Sequence, residues 1–345
     1  MYMGIVAKDI GIDLGTATVV VTVKGKGIVS RDPCVVAMDK NTGRLLKVGM
    51  AAQRMLGRTP ANIVAIRPMK DGVISDFDMT ERMLREFVRK TTPFALVKPR
   101  IIVSVPSGVT EVEERAIIMA ATQAGARKVY LMEEPLAAAI GAGIDISQPE
   151  GHMVIDIGGG TTDIAVVSMQ GVVYASSIKT AGDEFDAAIV RYIRKKYNVL
   201  IGATTAEDIK KRIGCVYPRQ EKSAIEVKGR CLLTGLPKIV TVTDEDVLAA
   251  FSEVSQRIID AVHEVLENTP PELVADISDN GIVITGGGSL VWGIDKLIAS
   301  STNIPTFIAD DPELCVAYGL NKMLDKMNEL EEGTLNLSRK RQIKN

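Results

Sequence analysis

Ile10-Gly11-Ile12-Asp13-Leu14-Gly15-Thr16-Ala17-Thr18, followed by Val19 to Val23, sets an aspartate in an apolar run, then a small-residue turn, then a second β-branched run. That composition reads as a β-hairpin with a tight turn. The pattern returns at Val154-Ile155-Asp156-Ile157-Gly158-Gly159-Gly160-Thr161-Thr162-Asp163, followed by Ile164 to Val167. A second pair also matches: Ile101-Ile102-Val103-Ser104-Val105-Pro106-Ser107-Gly108 and Ile282-Val283-Ile284-Thr285-Gly286-Gly287-Gly288-Ser289, each a buried strand running into a small-residue turn before a helix. One match alone would carry little. The same two-part device in each half indicates an internal duplication with a boundary near Ser147 to Gly151.

The length of 345 residues suits about two domains. Hydrophobic residues make up 46% and charged residues 24%, and the net charge is −2, a soluble globular balance. Only two histidines occur, His152 and His263, so an imidazole metal cage or a Ser/His triad has little to draw on. Only 14 aromatics (Phe 6, Tyr 7, Trp 1) are present, without the clustered aromatics and basic stripe of a single-strand nucleic-acid platform. Cys34, Cys215, Cys231 and Cys315 form no C-x-x-C pair, which fits reduced thiols in a cytosolic protein. No secretory leader is visible in Met1 to Lys8, and no apolar run approaches the length of a membrane span.

Strands followed by helices in both halves predict α/β layers. Asp78-Met79-Thr80-Glu81 and Thr110-Glu111-Val112-Glu113 read as capping boxes. Phe185 to Tyr197 and Asp244 to Glu267 read as amphipathic helices, the latter stopped by Asn268-Thr269-Pro270-Pro271. Pro33 to Pro68 and Tyr217 to Thr243 look like small insertions at corresponding places, the second with turns at Lys228-Gly229 and Gly235-Leu236-Pro237. Four subdomains follow.

Two Asp-Gly-Thr turns facing each other would aim several backbone N–H groups at one point, with glycine letting a phosphate approach closely. Thr16, Thr18, Thr161 and Thr162 add hydroxyls. Asp13 and Asp156 would bring two carboxylates near the polyphosphate, and a divalent cation relieves that repulsion. Magnesium, which keeps several waters and needs one or two carboxylates, matches this supply. A lone turn of this kind is more often just a tight hairpin. The paired turns plus the Gly286-Gly287-Gly288 triplet favour the phosphate-binding reading.

Asp9-Ile10-Gly11-Ile12-Asp13-Leu14-Gly15-Thr16-Ala17, Asp156 to Asp163 and Thr285-Gly286-Gly287-Gly288-Ser289-Leu290 resemble the two phosphate motifs and the adenosine motif of the actin, sugar-kinase and heat-shock-chaperone ATPase superfamily. Within it, Ala65-Ile66-Arg67-Pro68, Lys70-Asp71-Gly72-Val73-Ile74, Glu133-Glu134-Pro135-Leu136-Ala137-Ala138-Ala139-Ile140-Gly141 and Thr269-Pro270-Pro271-Glu272-Leu273 closely resemble the MreB family of bacterial actin homologues. The likeness runs from about Asp9 to Asp325. Thr18 departs from it, standing where the family's asparagine is expected.

The resemblance implies an α/β actin-like ATPase fold: two duplicated α/β domains with a nucleotide cleft between them. Domain I would cover 1–147, with an insert at about 33–68 and completion by a C-terminal helix at about 312–330. Domain II would cover 148–311, with an insert at about 183–243, leaving 331–345 as a basic tail. ATP would be held by Thr16, Ala17 and Thr18 from one side and by Gly158, Gly159, Gly160 and Thr161 from the other. Gly182, Asp183, Glu207 and Lys210 would flank the nucleotide, and Gly286, Gly287, Gly288, Ser289 and Leu290 would back it. From the residues alone, Glu207 and Lys210 at i, i+3 read equally well as a surface ion pair.

Hydrolysis needs a group that orients the attacking water. With histidine so scarce, a carboxylate is the available orienter. Glu134, fixed by Pro135 at a helix start, is the candidate, with Thr161 as its hydrogen-bonding partner; Glu133 is the adjacent rival, and only one of two consecutive residues can face the site.

The loop Thr91 to Pro99 carries Phe94, Leu96 and Val97 and would ordinarily be tucked into the core. MreB proteins bear a membrane-inserting loop at this place, which favours membrane contact. Arg339, Lys340, Arg341 and Lys344 form a basic tail that could add attraction to an anionic leaflet, giving two weak signals together. The implied partners are further copies of the chain in paired protofilaments, an anionic membrane surface and membrane proteins of the shape machinery, with no nucleic acid. The implied place is the cytoplasmic, inner face of the cell membrane. Filament formation controlling cell shape, or motility in a wall-less cell, is the expected role. A soluble small-molecule kinase of the same superfamily is the alternative, although no separate polar sugar pocket is visible; a chaperone would need a substrate domain that this sequence does not show.

Overall fold

The computed structural model describes residues 9–92 and 97–328. Its frame is a pair of five-stranded sheets. In the first, Ile10–Leu14 lies between Thr18–Val23, antiparallel, and Arg100–Val105, parallel; Gly27–Pro33 and Lys128–Glu133 flank these. In the second, His152–Ile157 lies between Thr162–Ser168, antiparallel, and Ile282–Thr285, parallel; Gly171–Ile178 and Thr306–Ile308 flank these. The strand order is the same in both. Strands covered on both faces need near-continuous apolar runs, and the central strands Ile10–Leu14 and His152–Ile157 supply them.

Three apolar cores hold this frame. One gathers Ile12, Val103 and Phe87 under the first sheet. A second gathers Ile155, Phe185 and Phe251 beneath the other. The third sits at the joint, where Ile102 and Tyr130 from one sheet and Val154 and Ala165 from the other meet the helices Glu134–Gly141 and Cys315–Asp325. Those two helices approach unusually closely. A Cβ on Gly319 would stand 1.9 Å from the Ala137 carbonyl oxygen, and one on Gly141 would stand 1.7 Å from the Cys315 carbonyl oxygen. Glycine is therefore required at both positions.

Each half carries a small sheet. Val36–Asp39, Leu45–Val48 and Ile63–Ile66 form one, and Val199–Leu200, Ala224–Cys231 and Pro237–Thr243 form the other. Two local expectations are corrected. Lys228-Gly229 is not a turn but lies inside Ala224–Cys231, opposite Lys238 and Ile239. Gly229 is needed there because a Cβ would meet Val199 Cγ1 at 2.4 Å and the Leu200 oxygen at 2.7 Å, a close approach by the neighbouring strand. The helix Phe77–Thr91 is capped by Asp76, whose side chain accepts from Met79 N, while Asp78 lies in its first turn. The capping box at Thr110 and the helix Asp244–Glu267 are present as read.

Candidate functional site

The ends of the two central strands meet over a cavity of about 350 Å³ between the halves, within the size range of small-ligand sites. Its floor is acidic. Asp13 accepts a hydrogen bond from Ser104 Oγ at 2.9 Å, and Asp156 accepts one from Thr285 Oγ1 at 2.6 Å. In each half the donor lies on the parallel neighbour strand, so the duplication extends to the carboxylate's support. Burial raises the Asp13 carboxyl to about 7, with the Asp156 charge adding and Ser104 opposing. Burial likewise raises Asp156 to about 6 against the Thr285 hydrogen bond.

The two turns face one another over this floor. A Cβ on Gly159 would stand 2.7 Å from Ala17 Cβ, and one on Gly160 would stand 2.5 Å from Thr16 Oγ1 and 3.0 Å from Asp71 N. Thr16 Oγ1 accepts from Gly72 N at 3.0 Å, which leaves its proton free to donate elsewhere. Thr16, Ala17, Thr18, Gly158, Gly159, Gly160 and Thr161 all line the cavity.

The far rim comes from three elements. Gly182 and Asp183 open the helix Gly182–Tyr197, and the Asp183 N–H donates to the Gly159 oxygen at 2.7 Å, tying the helix start to the second turn. Glu207 and Lys210, on Ala203–Ile213, line the cavity but do not pair with each other. Lys210 Nζ donates to Gly182 O at 2.7 Å and to Asp186 at 3.0 Å; Glu207 binds Lys211 at 2.7 Å. Burial works to raise Glu207, but Lys211, Lys210 and Arg67 outweigh it and hold the carboxyl below its usual range. Gly286, Gly287, Gly288 and Leu290 form the back wall. Ser289 does not face the cavity: it is fully buried, with its hydroxyl donating to Gly286 O at 2.6 Å.

Glu133 and Glu134 part company at the strand end. Glu133 accepts from Ser107 Oγ at 3.0 Å, whereas Glu134 lines the cavity. Glu134 is raised well above the ordinary range by burial, then by the charges of Asp163, Asp13 and Asp156. Among the described residues no hydrogen bond joins Glu134 to Thr161, so that expected pairing is absent here. The Thr161 hydroxyl instead helps lower Asp163, whose carboxyl burial raises. Asp163 Oδ1 accepts from Ser107 N at 2.8 Å, and the Ser177 hydroxyl acts on the carboxyl in the same direction as that of Thr161.

This donor set fits a hydrated divalent cation. Asp13, Asp156 and Glu134 bring three carboxyls to the cavity lining, and Asp163, fully buried nearby, adds its charge to theirs. Among the described residues no group of three or more ligating side chains converges as a cage, so a cation here would be held largely through water and phosphate oxygens.

Sequence reasoning passed over several lining or supporting residues. Ser104 and Thr285 were legible in principle, since they occupy the same place in the duplicated strands. Arg31, Arg67, Asp163 and Asp186 were not singled out. Neither histidine lines the cavity. All four cysteines are free and buried. Val97 is exposed, whereas Phe94, Leu96, Arg339, Lys340, Arg341 and Lys344 lie outside the described residues.

Residues 7–332 match the family model of the MreB/Mbl protein. The chain is 53% identical over 330 residues to the cell shape-determining protein Mbl of Bacillus subtilis, covering 95% of this chain and 99% of that one. It is 49% identical over 333 residues to the cell shape-determining protein MreB of Escherichia coli K12, covering 95% and 96%. In structure it is similar to MreB5 of Spiroplasma citri bound to ADP, with a TM-score of 0.89 at 40% identity over 94% of this chain and 98% of that one; the same protein bound to AMPPNP gives 0.88. The duplicated α/β frame is the actin-like fold.

Proposed function

Since the chain belongs to the MreB/Mbl protein family, we propose that it binds ATP with magnesium between its halves, hydrolyses it slowly, and polymerises into cytoskeletal filaments that set cell shape. The observation that carries this reading is the pair of facing glycine turns above Asp13 and Asp156. Backbone N–H groups of both turns would hold the phosphates, with the Thr16 and Thr161 hydroxyls as further donors. Lys210 and Glu207 flank the sugar and base, and the Gly286–Leu290 wall backs the ring. Magnesium, when bound, offsets charge on the phosphates, and Asp13 and Asp156 would hold it through water.

Glu134 is the catalytic residue of this reading. Its carboxyl faces the cavity, while Glu133 is engaged by Ser107. As the carboxylate it accepts a hydrogen bond from the attacking water and aligns it with the phosphorus. Thr161 contributes beside it as a donor to the phosphate. Polymerisation follows nucleotide because a ligand held by both halves favours the closed arrangement of subunit surfaces.

The filaments lie on the inner face of the membrane, through the Phe94 to Val97 loop and the basic tail. Among the described residues no helix is long and apolar enough to cross a membrane, so attachment is peripheral in this reading. Sedimentation with ATP against ADP, with electron microscopy of the pellets, tests the whole. Nucleotide-dependent filaments are expected. Sugar-stimulated ADP formation without filaments would instead favour a small-molecule kinase.

A further inference from the structure

We propose that Arg67 is a latch across the mouth of the nucleotide cleft, and that its bond to Asp183 sets how fast nucleotide leaves. This rests on the nucleotide-binding reading above and adds to it a residue outside the phosphate turns. Arg67 follows the last strand of the first half's insert, and its Nη1 donates to Asp183 Oδ1 at 3.0 Å in the other half, 116 residues away. Its Nη2 stands 4.0 Å from Glu207 Oε2. One guanidinium therefore faces two carboxylates of the opposite half, both on the rim of the cavity. The fork of donors on arginine suits bridging of this kind in a way a lysine ammonium does not.

Both ends of the bridge are wired to the phosphate turns. Asp183 holds the Gly159 oxygen through its own N–H. On the other side, Pro68 O accepts from Ser75 N at 2.9 Å and Asp76 N at 3.1 Å, which fixes the short hairpin of Met69–Lys70 and Val73–Ile74 just after Arg67. The tip of that hairpin, Asp71-Gly72, reaches the floor, where Gly72 N donates to Thr16 Oγ1. Nucleotide seated between the turns thus presses on the same two segments that the latch joins. Opening far enough to release it must separate Arg67 from Asp183.

Arg67 also has an electrostatic task. Asp183 and Glu207 border a site meant for a polyanion, and without Arg67 their charges would face the phosphates with less compensation. The pair is partly exposed, at 31% and 39% of side-chain surface, so its effect is that of a screened bridge.

The test is stopped-flow release of a fluorescent ATP analogue from the full chain with magnesium. Arg67→Ala and Asp183→Asn should each speed release about fivefold, the equivalent of about 1 kcal/mol at 1.4 kcal/mol per tenfold. The double substitution should be no faster than either single one, and Arg67→Asp with Asp183→Arg should recover part of the slow release. High salt should speed release from the unmodified chain more than from Arg67→Ala. Unchanged release in both single variants, additive effects, or no recovery by the exchange of charges would overturn the latch. If the unmodified chain binds no nucleotide, the functional reading falls together with the latch; if it binds tightly but release ignores Arg67, only the latch falls.

Discussion

Thr285 donates its hydroxyl proton to Asp156 across 2.6 Å, from the strand that runs parallel to that of the aspartate. Ser104 does the same for Asp13 in the other half. The two-fold repeat thus preserves the second residue that keeps each carboxylate in place, as well as the turn beside it. A hydroxyl donor aims one oxygen and leaves the other for a ligand.

Glu134→Ala should reduce phosphate release to background, a loss of at least about a hundredfold if the carboxylate orients the water. Nucleotide binding should persist, since the turns and the rim are untouched. Phosphate release and equilibrium nucleotide binding measured side by side decide this; unchanged release would remove Glu134 from the mechanism.

Gly160→Ala should sharply weaken nucleotide binding. Its added Cβ would press on Thr16 Oγ1 at 2.5 Å and on the Asp71 backbone at 3.0 Å, prising the two turns apart. Overpacking of this kind costs about 1–3 kcal/mol. Calorimetric titration with ATP and magnesium would check it, with circular dichroism to verify that the fold survives.

Asp246 predicts acid sensitivity. Burial works to raise its carboxyl, but hydrogen bonds from Lys196, Tyr197 and the Thr243 N–H outweigh it and lower Asp246 to about 2. Tyr197 Oη lies 2.6 Å from it, and Lys196 completes the ion pair. A depressed folded-state value means the unfolded chain takes up the proton first. The stabilisation is therefore full above the unfolded value of 3.8 and lost as pH falls through about 2. Asp246→Asn should lower stability by about 1.5–3 kcal/mol near neutrality and remove part of the acid-induced loss. Denaturant melts of both proteins at several acidic pH values measure it; identical pH profiles would contradict the assignment.

Deleting residues 339–345 should weaken pelleting with anionic liposomes at low salt. Each basic residue contributes about 1 kcal/mol near such a surface, so the loss should shrink as salt is raised. No change on deletion would take the tail out of the membrane contact.

The frame was readable because its decisive residues lie within short segments that repeat. An aspartate, a glycine-rich turn and a β-branched run occur twice, and Asp244–Glu267 carries its own start and stop signals. What escaped the sequence depends on residues brought together from far apart. Nothing near Arg67 indicates Asp183, and nothing near Ser107 indicates Asp163. Gly229 looked like a turn because a glycine forced by a neighbouring strand has the same composition as one forced by a tight bend. Asp78 looked like a cap because Asp76, two residues earlier, has the same chemistry. Ser289 sits within a motif whose backbone faces the cleft, yet its own hydroxyl closes a local turn.

The glycine-to-carbonyl seam between Glu134–Gly141 and Cys315–Asp325 bears on how the protein comes off the ribosome. The first sheet and the helix after it are complete by about residue 141, but the helix that covers the joint begins only at Cys315. Until it arrives, Ile102, Tyr130 and Leu136 lack one wall of their core. The first half, though synthesised earlier, must wait for Cys315–Asp325 to finish folding, and a chain stalled before residue 315 would expose this apolar joint to the cell's chaperones.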